Sequence, residues 1–422
     1  MDFFKWFYPG MRVKRWVSMC ILGLTLILLV ALSAISDFSR TSVLLASFAT
    51  ALLFVGLFLV ITAIKNMLRT FVRVLGPTKE SDVVNIFFQR RQARQLERGP
   101  RVVVIGGGTG LSTLLKGIKN YTNNITAIVT VTDTGGSSGR LRNELDIIPP
   151  GDIRNCLVAL ADQEPLMSQL FQYRFEDGSG LKGHSFGNLF ITALSKVTGD
   201  FDQAVKESSK ILAIRGSVIP STLEKVQLVA EFEDGTTAEG ETNICDARKK
   251  IKRLRLKPLE CSATRDAVEA IQNADLIIMG PGSLYTSVLP NLLIKEILSE
   301  ILLSHAPKMY VANVMTQRGE TEGYTLSDHI NVLHAHTDRQ VVDTCFVNQS
   351  LIPKPALERY IKDNAVPVVT DIKNLNQHNI EVVYGDLAKV GDYVRHDSDR
   401  LAKLIFDYYY AKGPQVETQI KA

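Results

Sequence analysis

The sequence predicts an α/β fold: a mostly parallel sheet flanked by helices, with a small β-hairpin subdomain, preceded by an N-terminal transmembrane helical hairpin. Three observations carry this prediction. Two long uncharged apolar runs open the chain. A unit of β-branched strand, glycine turn and apolar-striped helix then recurs, the pattern of parallel strands joined by helical crossovers. Charge is also partitioned: residues 1–101 hold 14 Lys/Arg against 5 Asp/Glu, a net of +9, and the remainder holds 34 against 39, a net of −5. A mildly acidic main body excludes a nucleic-acid groove, which needs clustered cations.

The apolar runs come first. Trp16 to Ser36 carries no charge and is about long enough to cross ~30 Å of hydrocarbon as a helix. After the short stretch SDFSR, Thr41 to Ile64 is uncharged again. A second span so close behind the first reads as a hairpin rather than a cleaved signal peptide. Lys5, Arg12, Lys14 and Arg15 precede the pair, while Lys65, Arg69 and Arg73 follow it, so the positive-inside rule puts both ends in the cytoplasm. The expected organisation is therefore 1–64 two membrane helices, 65–100 a basic juxtamembrane helix or linker, 101–411 the soluble domain and 412–422 a polar tail. Ile64, Met67, Leu68, Phe71, Val72 and Leu75 recur at helical spacing, suited to an anionic leaflet. The expected location is the cell membrane, multi-pass, with a cytoplasmic soluble domain. Cys20, Cys156, Cys245, Cys261 and Cys345 are scattered without metal-ligand spacing and read as free thiols in a reducing compartment.

In the soluble part, RVVVIGGGTGLSTLLKGIKN reads as a buried strand, a glycine turn and a helix. Gly107, Gly108, Thr109 and Gly110 form the turn, and a helix opening there directs free N–H groups at an anion. The pattern is neither a Walker A loop nor a full dinucleotide fingerprint. Ile125 to Val131 is a second strand with Asp133 at its end, placed to hold a ribose hydroxyl or a cation. DTGGSSGRLR then reads as a second glycine turn, with Gly135, Gly136, Ser137, Ser138 and Arg140 forming a pocket wall. In PPGDIRN, Asp152 either caps the following helix or ligates Mg²⁺ held by a diphosphate.

GHSFGN sets His184 and Asn188 at the mouth of an apolar helix, each as a structural hydrogen-bonder or a ligand contact. GSVIPSTLEKVQLVAEFEDGTTAEGETNI reads as a β-hairpin outside the main sheet. ADLIIMGPGSLYTSVLPNLL supplies a strand and a third glycine turn with Gly280, Gly282 and Ser283. Three such turns at strand ends point to a pocket for an anionic ligand. Met309 to Val314 is a further strand; Asn313 near its end, with Thr316 and Gln317 just beyond, supplies neutral groups suited to reading a base or sugar. His334 and His336 read as one face of a strand, without a third metal ligand. Arg395 and His396 precede Asp397 and Ser398, the expected start of an amphipathic terminal helix; Ser398 sits there in a charged turn open to phosphorylation.

GGGTGLSTLLKGIK, TVTDTGGSSGRLR, PPGDIRNCLVALA, GHSFGNLFITAL, GPGSLYTSVLPNLL and ANVMTQRGETEGYTLSDHI, in that order, resemble the gluconeogenesis-factor family of bacteria, within the wider superfamily of 2-phospholactate transferases. The resemblance spans about residues 101 to 411. It implies a Rossmann-like domain that binds UDP-sugars, notably UDP-N-acetylglucosamine, and a role in cell shape and wall synthesis during gluconeogenic growth. Asn155 joins the ligand-binding set by the same resemblance, as does Arg395, which resembles the family's arginine for nucleotide-sugar binding. The two membrane spans lie outside the typical family pattern.

A regulatory, ligand-binding protein is therefore the expected function, with no catalytic residue assigned and no cofactor required beyond a candidate Mg²⁺. No nucleophile–base pair is readable along the chain. The competing expectation is a Mg²⁺-dependent 2-phospho-L-lactate-type transferase acting on a diphosphate-linked nucleotide. An NAD-dependent protein is a third, opposed by the imperfect fingerprint. Expected partners are the UDP-sugar, the membrane, a second copy of the chain through apolar surface near the pocket, and cell-wall or regulatory proteins.

Overall fold

The computed structural model describes residues 13–36, 43–75, 96–162, 165–361, 364–375 and 379–413. It divides into two compact units, Met1–Gln92 and Ala93–Ala422.

In the first unit, α1 (Val13–Ser36) packs along α2 (Val43–Leu75). Their backbones meet at two glycines. A Cβ on Gly23 would lie 2.7 Å from the Gly56 carbonyl oxygen, and one on Gly56 would lie 2.9 Å from that of Gly23. Small residues at a crossing let helices approach closely where burial from water supplies no drive. Both helices are long and apolar enough to cross a membrane, with spans at Arg15–Leu32 and Ser47–Met67. The juxtamembrane periodicity is not a separate helix: it continues α2 to Leu75 without a break at Ile64. The turn between the helices and the linker at 76–95 lie outside the described residues, as does the tail from 414.

The second unit begins earlier than the expected Arg101. Leu96 is buried, and its carbonyl accepts the N–H of Gly99 and of Asn123. In chain order the unit then runs β1 (Val102–Gly106), α3 (Gly108–Ile118), β2 (Ile125–Val129), α4 (Gly136–Leu145), α5 (Gly151–Leu160), α6 (Pro165–Gln172), α7 (Phe186–Thr198), α8 (Phe201–Ile211) and β3 (Ser217–Pro220). The small subdomain follows: β4 (Gln227–Phe232), β5 (Thr237–Glu239), α9 (Glu241–Ala247) and β6 (Ile251–Lys257). After α10 (Arg265–Gln272) come β7 (Leu276–Met279), a π-helical turn (Leu284–Val288) running into α11 (Leu289–Leu292), α12 (Lys295–Leu303) and β8 (Lys308–Val311). The chain ends with α13 (Leu326–Thr337), β9 (Thr344–Asn348), α14 (Lys354–Ile361), α15 (Ile372–Leu375), β10 (Glu381–Gly385), β11 (Ala388–Val390), β12 (Val394–His396) and α16 (Ser398–Lys412).

The main sheet has seven strands, ordered β10-β9-β8-β7-β1-β2-β3, and every pair in it is parallel. β1 and β7 are buried along their whole length, hence the continuous apolar runs VVVI and LIIM. The order departs from β1 in two directions, to β2 and β3 on one side and to β7 onward on the other. The crossovers after β1 and β7 therefore diverge, which opens a crevice at the carboxyl ends of these two strands.

Several sequence expectations change here. Ser217–Pro220 is the edge strand of the main sheet, not part of the hairpin, and the hairpin gains a third strand in the order β5-β4-β6. DTGGSSGRLR is a helix from Gly136, not a turn. His334 and His336 lie on α13, a helix fixed by the reciprocal Thr325–Asp328 capping box, rather than on a strand. Asp152 lies inside the first turn of α5 and does not cap it. Asp397 does cap α16, accepting from the N–H groups of Asp399 and Arg400 at 3.1 and 3.0 Å.

Candidate functional site

A cavity of about 450 Å³ occupies the crevice between the β1 and β7 loops. Gly107, Gly108, Thr109 and Gly110, at the start of α3, form its first wall, with Thr113 one turn on. The close packing explains the glycines. A Cβ on Gly107 would lie 2.6 Å from Asp152 Oδ2, and one on Gly110 would lie 2.4 Å from the Pro281 carbonyl oxygen. The first N–H groups of a helix have no partner within it. That of Gly108 donates to Asp152, while those of Thr109 and Gly110 follow it in the first turn.

Gly282, Ser283 and Ser287 continue the wall after β7. The loop is held by Asn313, whose Nδ2 donates to the Gly282 carbonyl at 2.8 Å and whose Oδ1 accepts the Gly282 N–H at 3.1 Å. Gln317 Nε2 donates to Ser283 Oγ at 2.9 Å. Thr316 Oγ1 accepts the Val366 N–H at 2.9 Å. These neutral groups line the cavity, yet much of their hydrogen-bonding capacity is spent shaping it.

Carboxylates face the cavity from three elements: Asp133 after β2, Asp152 on α5 and Glu241 at the start of α9. Asp133 Oδ1 accepts the Gly135 N–H at 2.8 Å. Burial pushes the Asp152 carboxyl up to about 7, helped by the negative Asp133, with the Gly108 N–H and Arg154 pulling the other way. Glu241 is pushed up to about 8 by burial and by Asp133, Asp152 and Glu320. Glu320 is itself buried and raised, although it accepts from Thr286 Oγ1 and the Tyr285 N–H. Near neutral pH such a cluster holds protons, so it offers hydrogen-bond donors as well as acceptors to a bound hydroxyl or phosphate.

The remaining wall is the β11–β12 hairpin with Tyr360, and it brings Tyr393, Arg395 and His396 to the cavity. His396 is buried; its contact with the Ala312 backbone is outweighed by desolvation, which holds the ring down to about 4 and therefore neutral. Its Nε2 is buried without a hydrogen-bond partner.

Of the residues singled out in the sequence, the cavity thus collects Gly107, Gly108, Thr109, Gly110, Asp133, Asp152, Gly282, Ser283, Asn313, Thr316, Gln317 and Arg395. Others lie off its wall. Ser137, Ser138, His184 and Asn188 form a buried network of their own. Ser137 Oγ and His184 Nδ1 are 2.9 Å apart, and Asn188 Nδ2 donates to Ser137 Oγ at 3.1 Å and Ser138 Oγ at 3.3 Å. Arg140 donates to the Lys182 carbonyl at 2.8 Å, and Asn155 Oδ1 accepts from Arg154 at 2.7 Å. Gly135 is the N-cap of α4, Gly136 opens that helix at positive φ, and Gly280 takes positive φ after β7; none of the three lines the cavity. The sequence reading missed Thr113, Glu241, Ser287, Tyr360 and Tyr393. Glu241 had no local signal, because its role comes from a subdomain folding against the sheet edge.

An all-parallel sheet with its cavity at the strand-order reversal, walled by glycine loops, defines a Rossmann-like α/β class, and a family model described as 2-phospho-L-lactate transferase CofD matches residues 102–388. Within that class the chain belongs to the gluconeogenesis-factor family. It is 48% identical to the gluconeogenesis factor of Bacillus subtilis strain 168, over 73% of this chain and 98% of that protein. A gluconeogenesis-factor relative from Nostoc sp. strain PCC 7120 is 45% identical over 97% of this chain and 93% of its own length, a match long enough to take in the apolar helices. A crystal structure of a Bacillus halodurans protein superposes with a TM-score of 0.71 at 48% identity, covering 73% of this chain and 99% of that one.

Proposed function

We propose that the chain is a membrane-anchored regulatory protein whose cavity binds UDP-sugars, UDP-N-acetylglucosamine above all, and that it supports cell shape and cell-wall synthesis during gluconeogenic growth. The observation that carries this is the meeting of the α3 N-terminus with Arg395 at one cavity. Helix N–H groups and a guanidinium are the two groups best matched to a diphosphate. Asp133, Asp152 and Glu241 supply acceptors for ribose and sugar hydroxyls, and Asp152 and Glu241, when protonated, supply donors. The Ser137–His184 contact lies off the cavity wall and is engaged by Asn188, which favours binding over nucleophilic catalysis. The apolar helices would insert as a two-span anchor with both ends in the cytoplasm.

A second reading, a Mg²⁺-dependent transferase of the 2-phospho-L-lactate type, is favoured by the carboxylates facing the cavity. Among the described residues no three His, Cys, Asp or Glu side chains are grouped to hold a metal by themselves. Asp133 and Asp152 are hard oxygen donors that fit Mg²⁺, provided that ligand phosphates complete its shell.

Calorimetric titration of the full chain in detergent micelles with UDP-N-acetylglucosamine, with and without Mg²⁺ and beside Arg395→Ala, tests both. Saturable binding without turnover, weakened about tenfold or more in the variant, is expected from losing a charged hydrogen bond. No heat up to the solubility limit overturns the sensor reading. Mg²⁺-dependent cleavage of the diphosphate link moves the assignment to the transferase.

A further inference from the structure

The cavity's walls differ in kind. The sheet-edge wall is glycine backbone, hydroxyls and carboxylates, chemistry for phosphate and sugar. The other wall rests on a second hydrophobic cluster, separate from the main core, in which Val314, Met315, Ile352, Ala356 and Val394 pack with Tyr360. Of these, Val314, Met315, Tyr360 and Val394 reach the cavity.

The β11–β12 hairpin is fixed to this cluster. The Val394 N–H donates to the Tyr360 hydroxyl at 2.6 Å, and Arg359 donates to the carbonyls of Gly391 and Asp392 at 2.8 and 2.9 Å. Tyr393 therefore sits on a restrained backbone, yet it lines the cavity with 64% of its surface exposed. The Arg395 guanidinium stands 5.7 Å from its ring centroid, a cation–π contact that orients the ring without covering it. A large aromatic side chain held in place and left open beside an apolar cavity wall is suited to a planar π system. The sheet-edge wall has no such surface.

We propose that Tyr393 is the stacking platform for the nucleobase of the bound nucleotide, so that the hairpin reads the base while the glycine loops hold the phosphates. This rests on the nucleotide reading of the cavity. Stacking tolerates different bases, because every base has a π-face, so the platform supplies affinity more than base identity.

The test uses the full chain in detergent micelles with UDP-N-acetylglucosamine, UDP and N-acetylglucosamine-1-phosphate, comparing wild type with Tyr393→Leu and Tyr393→Phe. Removing the ring is expected to weaken both uridine ligands about tenfold, from the usual worth of one base–aromatic stack. The base-free sugar phosphate should bind both forms alike. Tyr393→Phe keeps the ring and should stay within about twofold of wild type. Hypochromism of the uracil absorbance on binding should appear with wild type and the Phe variant and vanish in the Leu variant at saturation. Unchanged affinity and hypochromism in the Leu variant overturn the platform alone. A Phe variant as weak as the Leu variant also overturns it, because the hydroxyl rather than the ring would then matter. Should the wild type bind neither uridine ligand, the nucleotide reading falls and takes the platform with it.

Discussion

Two glycine-rich stretches, Gly106–Gly110 and Gly135–Gly139, follow neighbouring strands of one sheet and look alike as sequence, yet they do opposite things. In the first, the glycines admit close neighbours from other parts of the chain: Asp152 against Gly107 and the Pro281 carbonyl against Gly110. The helix start is left facing the cavity. In the second, Gly139 admits only its own turn, since a Cβ there would lie 2.0 Å from the Thr134 carbonyl oxygen. The adjacent hydroxyls of Ser137 and Ser138 turn inward to Asn188. Glycine density reports close backbone approach and is silent on what approaches.

The sharpest way to break the comparison is to add a side chain to the first stretch. Gly110→Val places a branched group against the backbone of Pro281 and Gly282, which cannot rotate away. Overpacking of this kind costs about 1–3 kcal/mol or more. The expected result is a lowered unfolding midpoint together with loss of UDP-N-acetylglucosamine binding, since the same contact joins two walls of the cavity. A variant with wild-type stability and binding would show that the loops are not in contact.

For the second stretch the two readouts should separate. Asn188→Ala removes the donor to Ser137 and Ser138 and should destabilise the chain by about 1–3 kcal/mol, the usual cost of breaking buried hydrogen bonds. Ligand affinity should stay within about twofold of wild type, because the network is off the cavity wall. Equal losses in stability and affinity would put Asn188 back in the binding set.

What could be read from the sequence follows the same division. VVVI, ITAIV and LIIM were legible as strands because a parallel sheet buried on both faces needs continuous apolar runs. The GPGS turn and the Asp397 cap were legible because their constraints are local. The four residues SVIP were too short to show whether they joined the main sheet or the hairpin. HAH suggested strand alternation, but the Thr325 cap and the apolar spacing of Leu326, Ile330 and Leu333 commit that segment to a helix. In the site, the glycine turns after β1 and β7 were visible as motifs, and Arg395 through the family resemblance. Glu241 and Tyr393 were not, because one acquires its role from subdomain packing and the other from being left uncovered.

The effect that is smallest at any one pH step probes the charge packed against the first stretch. Asp152 is buried against Gly107, and its carboxyl is raised to about 7, above an unfolded value near 4. Between these values the folded chain keeps a proton on Asp152 that the unfolded chain has released, so the Asp152 contribution to stability falls as pH rises through the window and levels off above it. The slope from one such group is at most about 1.4 kcal/mol per pH unit. Asp152→Asn cannot ionise, and its amide oxygen still accepts the Gly108 N–H, so the slope should flatten. Glu241→Gln should remove the upper part of the window, because Glu241 is raised to about 8 and titrates together with Asp152. Urea unfolding of the full chain in micelles at several pH values across the window, followed by near-ultraviolet circular dichroism, reads both variants. His396, held neutral down to about 4, adds a slope of opposite sign to every profile, so the readout is the difference between wild type and variant. Wild-type and Asp152→Asn profiles of equal slope would mean that Asp152 is already ionised in the folded chain.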